Sequence, residues 1–217
     1  MLVAKSIEKF YGDLHVLKGV DVTIKQAEIV SLVGASGAGK STLLHILGTL
    51  DSADSGSLEV EGVDLSGLKG DQLAAFRNQK IGFIFQFHNL LPEFTAEENI
   101  FIPGLIGGKS EKFLRQRAID LGDLLGIRDR LSHKPAELSG GEQQRVAVAR
   151  ALVNNPAIIF ADEPSGNLDT NNAQALHELF FHLRDEFGQS FVIVTHNLAL
   201  AKMSDRMLTM EDGKILE

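Results

Sequence analysis

Gly34-Ala35-Ser36-Gly37-Ala38-Gly39-Lys40-Ser41 is the segment that most narrows the possible folds. It fits the pattern G-x-x-x-x-G-K-[ST], and it lies between the β-branched run Glu28-Ile29-Val30-Ser31-Leu32-Val33 and a helical pattern over residues 40–50. A strand, a glycine-rich turn and a helix are the context in which this pattern has a mechanism. Glycines let the backbone curl until successive N–H groups point inward at phosphate oxygens, and the helix N-terminus adds its partial positive charge. Lys40 is then expected to neutralise the outer phosphates of a nucleotide, and the Ser41 hydroxyl to complete a Mg²⁺ shell. Gly34 through Ser41, with Thr42 following in the first helical turn, are the phosphate-binding candidates.

The rest of the chain reads as α/β. Short apolar runs at Ile81-Gly82-Phe83-Ile84-Phe85, Ala157-Ile158-Ile159-Phe160-Ala161 and Ser190-Phe191-Val192-Ile193-Val194 predict strands covered on both faces, which belong in a largely parallel sheet. Val20-Asp21-Val22-Thr23-Ile24 predicts a further strand. Between Gln86 and Pro156 the periodicity becomes helical, clearest over 112–125 and 142–153, with Gly104, Gly107 and Gly108 expected as breakers. The expectation is one domain over 1–217: an α/β core at about 1–86 and 156–217, with a helical subdomain at about 87–155 inserted. Residues 51–57 read as a turn-rich loop.

Two further segments carry chemistry. Asp162 follows a buried strand, which places a carboxylate at the sheet edge where ligands of open α/β folds bind, and makes it the natural second Mg²⁺ anchor. Glu163 comes next, set to polarise a water in line with the terminal phosphorus. Two adjacent carboxylates leaving a buried strand would be costly without a cation beside them. Leu138-Ser139-Gly140-Gly141-Glu142-Gln143-Gln144-Arg145 opens another helix. Ser139 and Glu142 have capping-box spacing, but capping does not explain the paired glycines, which weaken a helix and suit the close approach of a ligand. One nucleotide therefore has two candidate phosphate-binding helix ends.

Composition sets the exclusions. Lys and Arg total 21 against 29 Asp and Glu, a net charge of -8, and no basic cluster appears, which disfavours nucleic acid as a ligand. With no cysteine there is no disulfide framework and no thiolate metal site. No stretch approaches the ~20 apolar residues of a membrane span, and Met1-Leu2-Val3-Ala4-Lys5-Ser6-Ile7-Glu8 lacks a secretory h-region. A membrane role would require a protein mount.

Taken together these segments resemble the ATP-binding cassette (ABC) ATPases over essentially the whole chain, and L-S-G-G-E-Q is that family's signature. The resemblance makes 34–41 the Walker A loop and Ile158-Ile159-Phe160-Ala161-Asp162 with Glu163 the Walker B strand. It makes Gln86 the Q-loop glutamine, Ser165-Gly166-Asn167-Leu168-Asp169 the D-loop and His196 the switch histidine. It implies ATP and Mg²⁺ as ligands, with Ser41, Gln86 and Asp162 around the ion and Glu163, His196 and Gln86 as catalytic residues. It also implies a P-loop core with an antiparallel β segment near the N-terminus, and a sandwich of two copies, in which Ser139, Gly140 and Gly141 of one close over the ATP held by Lys40 of the other. Tyr11 matches the aromatic that stacks on adenine, with Phe10 beside it as the rival.

The run Gln86-Phe87-His88-Asn89-Leu90-Leu91-Pro92-Glu93-Phe94-Thr95-Ala96-Glu97-Glu98-Asn99 is similar to the LolD-type ATPases of lipoprotein-releasing systems. That similarity implies ATP-driven extraction of lipoproteins, a location on the cytoplasmic face of the inner membrane, and contact with integral membrane subunits through the segment from Gln86 to Asn99. MacB-type exporter and FtsE-type division ATPases are the alternatives within the group. Ser165 stands where Thr is usual there. Phe83, Phe85 and Phe87 are expected to alternate into the core, and residues 87–94 to form part of the groove for a membrane subunit. A nucleic-acid-directed ABC protein would carry long coiled-coil insertions or paired cassettes, and a GTPase an N-K-x-D motif; neither is found.

Overall fold

The computed structural model describes residues 1–216. Two sheets form. The first is antiparallel and starts with β1 (Leu2–Tyr11) and β2 (Leu14–Ile24), which pair as a hairpin. β4 (Ser55–Val60) adds to the other side of β1, and β5 (Val63–Asp64) closes the edge, giving the order β2-β1-β4-β5. The second sheet contains β3 (Ile29–Val33), β6 (Ile81–Phe85), β7 (Ile158–Asp162), β8 (Ser190–Val194), β9 (Arg206–Glu211) and β10 (Lys214–Leu216) in the order β10-β9-β3-β8-β7-β6. It is parallel except for the terminal β9–β10 pair.

Side-chain alternation along the parallel strands divides the apolar interior in two. Ile29, Ile84, Ile159, Ala161, Phe191 and Ile193 pack on one face, with the helices that follow β6 and β7. Val30, Leu32, Ile158, Phe160, Val192 and Val194 pack on the other, with α1 (Lys40–Leu47) and the antiparallel sheet. Strands buried on both faces need apolar residues at every position, which explains the continuous runs in the sequence.

α2 (Asp71–Lys80) leads into β6, and between β6 and β7 come α3 (Ala96–Ile106), α4 (Glu111–Leu124) and α5 (Gly140–Leu152). α3 and α4 start at hydroxyl caps, Thr95 and Ser110, whose side chains accept from backbone N–H groups of the first turn. α6 (Thr170–Phe187), capped by Asp169, and α7 (Leu198–Met203), capped by Asn197, complete the chain.

Four local expectations change. Residues 55–57 belong to β4, not to a loop, because β1 supplies the missing hydrogen-bond partners; the ladder absorbs Gly56 at a register shift between Lys5 and Glu8. Gly104 does not break α3: it lies inside the helix, where an added Cβ would collide with the Leu114 side chain, so its smallness lets α3 and α4 pack closely. α1 stops at Leu47, with Gly48 as its C-cap, three residues before the sequence pattern ends. Phe83 is half-buried in β6, but the strand ends at Phe85, and Phe87, 72% exposed, lies outside the core.

Candidate functional site

The glycine-rich loop leaves β3 and enters α1. Gly34 has φ 149°, and a Cβ there would run into the Met210 carbonyl oxygen, so no other residue fits without moving β9. Gly39 occupies the N-cap of α1 and no side chain caps that helix, which leaves its first N–H groups facing the loop. Lys40 is buried and its Nζ donates to the carbonyl oxygens of Gly34 (2.9 Å) and Ala35 (2.8 Å). The ammonium thus lies inside the curl formed by Gly34, Ala35, Ser36, Gly37, Ala38 and Gly39, held there by two of its carbonyl oxygens. Such a ring of amides with a central cation is suited to a polyphosphate.

The carboxyl ends of the parallel strands bring the other candidates to the same edge. Ser41 Oγ donates to Asp162 Oδ1 at 3.2 Å, joining α1 to the end of β7. His45 Nε2 stands 3.9 Å from the other Asp162 oxygen, a neighbour that the motif patterns did not include. A hydroxyl and a carboxylate that converge in this way are hard oxygen donors. They fit Mg²⁺, which takes few protein ligands and completes its shell with water and phosphate oxygens.

Glu163 follows, with its own N–H bound to Val194 O at 2.9 Å and φ at 47°. A left-handed non-glycine residue carries strain that the surrounding structure must offset, and such strain collects at functional positions. Its Oε2 accepts from the His196 backbone N–H at 3.2 Å. Its Oε1 lies 3.2 Å from His196 Nε2, close enough for an ion pair with a protonated imidazole but not aligned as a hydrogen bond. Burial pushes the Glu163 carboxyl above its ordinary range and the nearby Asp162 charge adds to this, while the His196 N–H and the His196 and Lys40 charges oppose it.

Gln86 follows β6. Its Nε2 donates to Asn167 Oδ1 (3.0 Å) and its carbonyl accepts from Asn167 Nδ2 (3.1 Å), so its side-chain bond goes to the 165–169 turn, not to Ser41 or Asp162. Residues 88 and 89 both have positive φ, and the Arg150 guanidinium, half-buried on α5, donates to their carbonyls at 2.6 Å each. Arg150 has no motif of its own and is recognisable only in three dimensions.

Ser139 caps α5: its Oγ accepts from Glu142 N (3.3 Å), while Glu142 Oε2 accepts from Ser139 N (2.8 Å). An Arg130 hydrogen bond, supplemented by Ser139, holds the Glu142 carboxyl down at about 2. A Cβ on Gly141 would press on Asn172 Oδ1, so packing accounts for that glycine. A Cβ on Gly140 would meet only Leu168, at an ordinary 3.9 Å, so packing within the chain leaves Gly140 unexplained.

Tyr11 is half exposed at the end of β1. Its hydroxyl donates to Asp51 Oδ2 at 2.6 Å, and Lys9 Nζ lies 5.1 Å from its ring centroid. Phe10 instead stacks on His15, centroids 4.0 Å apart.

The ABC transporter family matches residues 17–166. The chain is 58% identical to the lipoprotein-releasing system ATP-binding protein LolD of Bacteroides fragilis, covering all of both chains. It is 60% identical to LolD of Porphyromonas gingivalis over 98% of this chain and 97% of the relative. Among solved structures it is similar to the ATP-binding cassette MJ0796, described as a dimer in a post-hydrolysis state bound to ADP and Pi, with a TM-score of 0.91 and 38% identity, covering 100% of this chain and 97% of that one. Motifs, fold and relatives agree: the chain belongs to the ABC transporter family, among the LolD-type ATP-binding proteins.

Proposed function

We propose that this chain is the ATP-hydrolysing subunit of a lipoprotein-releasing ABC transporter. End-to-end identity with LolD proteins carries the reading. The loop from Gly34 to Gly39 and the first turn of α1, Ser41 and Thr42 included, bind the phosphates, and Lys40 neutralises them. Ser41 and Asp162 would hold Mg²⁺, and the Gln86 amide would join them only by giving up its bond to Asn167; when bound, the ion would offset phosphate charge. Glu163 orients and deprotonates the attacking water, with His196 beside it as a contact to the terminal phosphate. Tyr11 supplies the ring against adenine.

The α5 N-terminus completes the site of a second copy. Ser139, Gly140 and Gly141 close over the phosphate bound by the partner's loop, which accounts for a Gly140 that packing does not explain. ATP therefore draws two copies together and hydrolysis lets them part. The motion reaches the membrane through the segment from Gln86 to Asn99. Phe87, Leu91 and Phe94 are exposed there, and a groove of about 460 Å³ lies alongside, lined by Phe83, Phe85, Asn89, Pro103, Ile106 and Arg150 among others. An integral membrane subunit inserting there would connect the core, 1–86 and 156–217, to the helical lobe, 87–155, at the cytoplasmic face of the inner membrane.

The test is reconstitution of the chain with its membrane subunits in proteoliposomes carrying a lipoprotein. ATP should drive transfer of the lipoprotein to a soluble acceptor. A complex that hydrolyses ATP and leaves the lipoprotein in the bilayer rejects this cargo and favours a MacB- or FtsE-type role.

A further inference from the structure

His177 lies on α6, outside every motif, and is 6% exposed. Burial lowers its pKa, so the neutral imidazole is the favoured form. Its Nε2 stands 3.1 Å from Ser165 Oγ, a hydrogen bond between the helix and the turn after Glu163.

The turn is tied to α6 at two places. Asp169 caps the helix, accepting from Asn172 N at 2.9 Å, and two helical turns further on His177 holds Ser165. Between these ties, Gly166 N donates to Glu163 O at 3.0 Å and Asn167 exchanges two hydrogen bonds with Gln86. Gly166 is so close to Gln86 that a Cβ would fall 2.8 Å from Gln86 Nε2. A displacement of Ser165 is therefore passed to the Glu163 carbonyl and the Gln86 amide, whereas among the described residues no hydrogen bond runs from this turn to the Gly34–Lys40 loop.

We infer that His177 is a positioning residue for hydrolysis: through Ser165 it fixes the turn that sets Glu163 and Gln86 relative to each other, without contributing to ATP affinity. The inference rests on the ATPase reading above and names the buried device that holds its catalytic edge in register. A well-ordered hydrogen bond is suited to the task because sub-ångström placement of a base and its water affects kcat strongly.

The experiment measures ATP hydrolysis by the full chain in its membrane complex for His177→Phe, which keeps the buried ring, for Ser165→Ala, and for the double variant. Both single variants should lower kcat about fivefold, the worth of one ordinary hydrogen bond, with KM and nucleotide affinity within about twofold of wild type. The double variant should be no slower than either single one. His177→Gln, which returns a polar nitrogen near the Nε2 position, and Ser165→Thr, which keeps the hydroxyl, should recover most of the rate. Wild-type kcat in Ser165→Ala overturns the inference, as do additive losses in the double variant or a loss confined to KM. Should His177→Phe fail to fold, the Ser165 pair of variants decides alone. No hydrolysis by the wild-type complex would instead reject the ATPase reading itself.

Discussion

Ser41 and Asp162, 121 residues apart, share a hydrogen bond of 3.2 Å between the first turn of α1 and the last residue of β7. Sheet order makes this contact: β8 lies between β3 and β7, and both strands end at the same edge. Replacing Asp162 with Asn keeps the shape and removes the charge. The Mg²⁺ concentration giving half-maximal ATPase rate should rise at least about tenfold, a loss seen even for residues that only support metal ligands. Steady-state rates across a Mg²⁺ titration check this.

Glu163→Gln should lower kcat by about 10²- to 10⁴-fold, the usual contribution of a general base, while ATP affinity is retained. With hydrolysis blocked, ATP should hold two copies together. Light scattering with and without ATP will show whether a dimer accumulates, and turnover at the wild-type rate would remove Glu163 from the base role.

The environment of Glu163 also predicts a pH dependence. Its folded pKa is raised above the ordinary 4.5, so between these two values the folded state holds more protons than the unfolded one. Stability contributed by this group therefore falls as pH rises through that window. Glu163→Gln should be more thermostable than wild type at neutral pH, with the difference shrinking as pH falls through that window and gone below 4.5. Melting curves of both proteins over that range provide the measurement.

Glu142 has the opposite sign. Its folded pKa is lowered to about 2, so its stabilising effect is present above the ordinary 4.5 and is lost as pH falls through about 2. Glu142→Gln should therefore melt below wild type at neutral pH and converge with it in acid. Ser139→Ala removes the reciprocal half of the cap and should cost about 1 kcal/mol of stability at neutral pH, and less in acid, where the Glu142 carboxylate that its hydroxyl also binds becomes protonated, as read by denaturant unfolding.

Legibility followed the range of the interactions. The 34–41 loop, the Asp162–Glu163 pair and the Ser139–Glu142 cap are local chemistry, with residue types and spacing that carry their reason within a few positions. β4 was not legible because Ser55-Gly56-Ser57 has turn composition and becomes a strand only by pairing with β1, fifty residues away. Gly104 signals a helix break until Leu114 is seen to need the space of its missing side chain. The exposure of Phe87 follows from the end of β6 at Phe85, a boundary that alternating aromatics cannot reveal.

By itself, the sequence determined that this chain builds a glycine-rich loop between a strand and a helix on a covered parallel sheet, because the curl, the apolar runs and the caps depend on neighbouring residues. Only the tertiary structure decided which side chains meet: Ser41 with Asp162, Glu163 with His196, Gln86 with Asn167, and Ser165 with His177. Three of these pairs join elements far apart in the chain, and the fourth depends on how the turn folds back on α6. Their distances are set by strand order and helix packing, which no local pattern encodes.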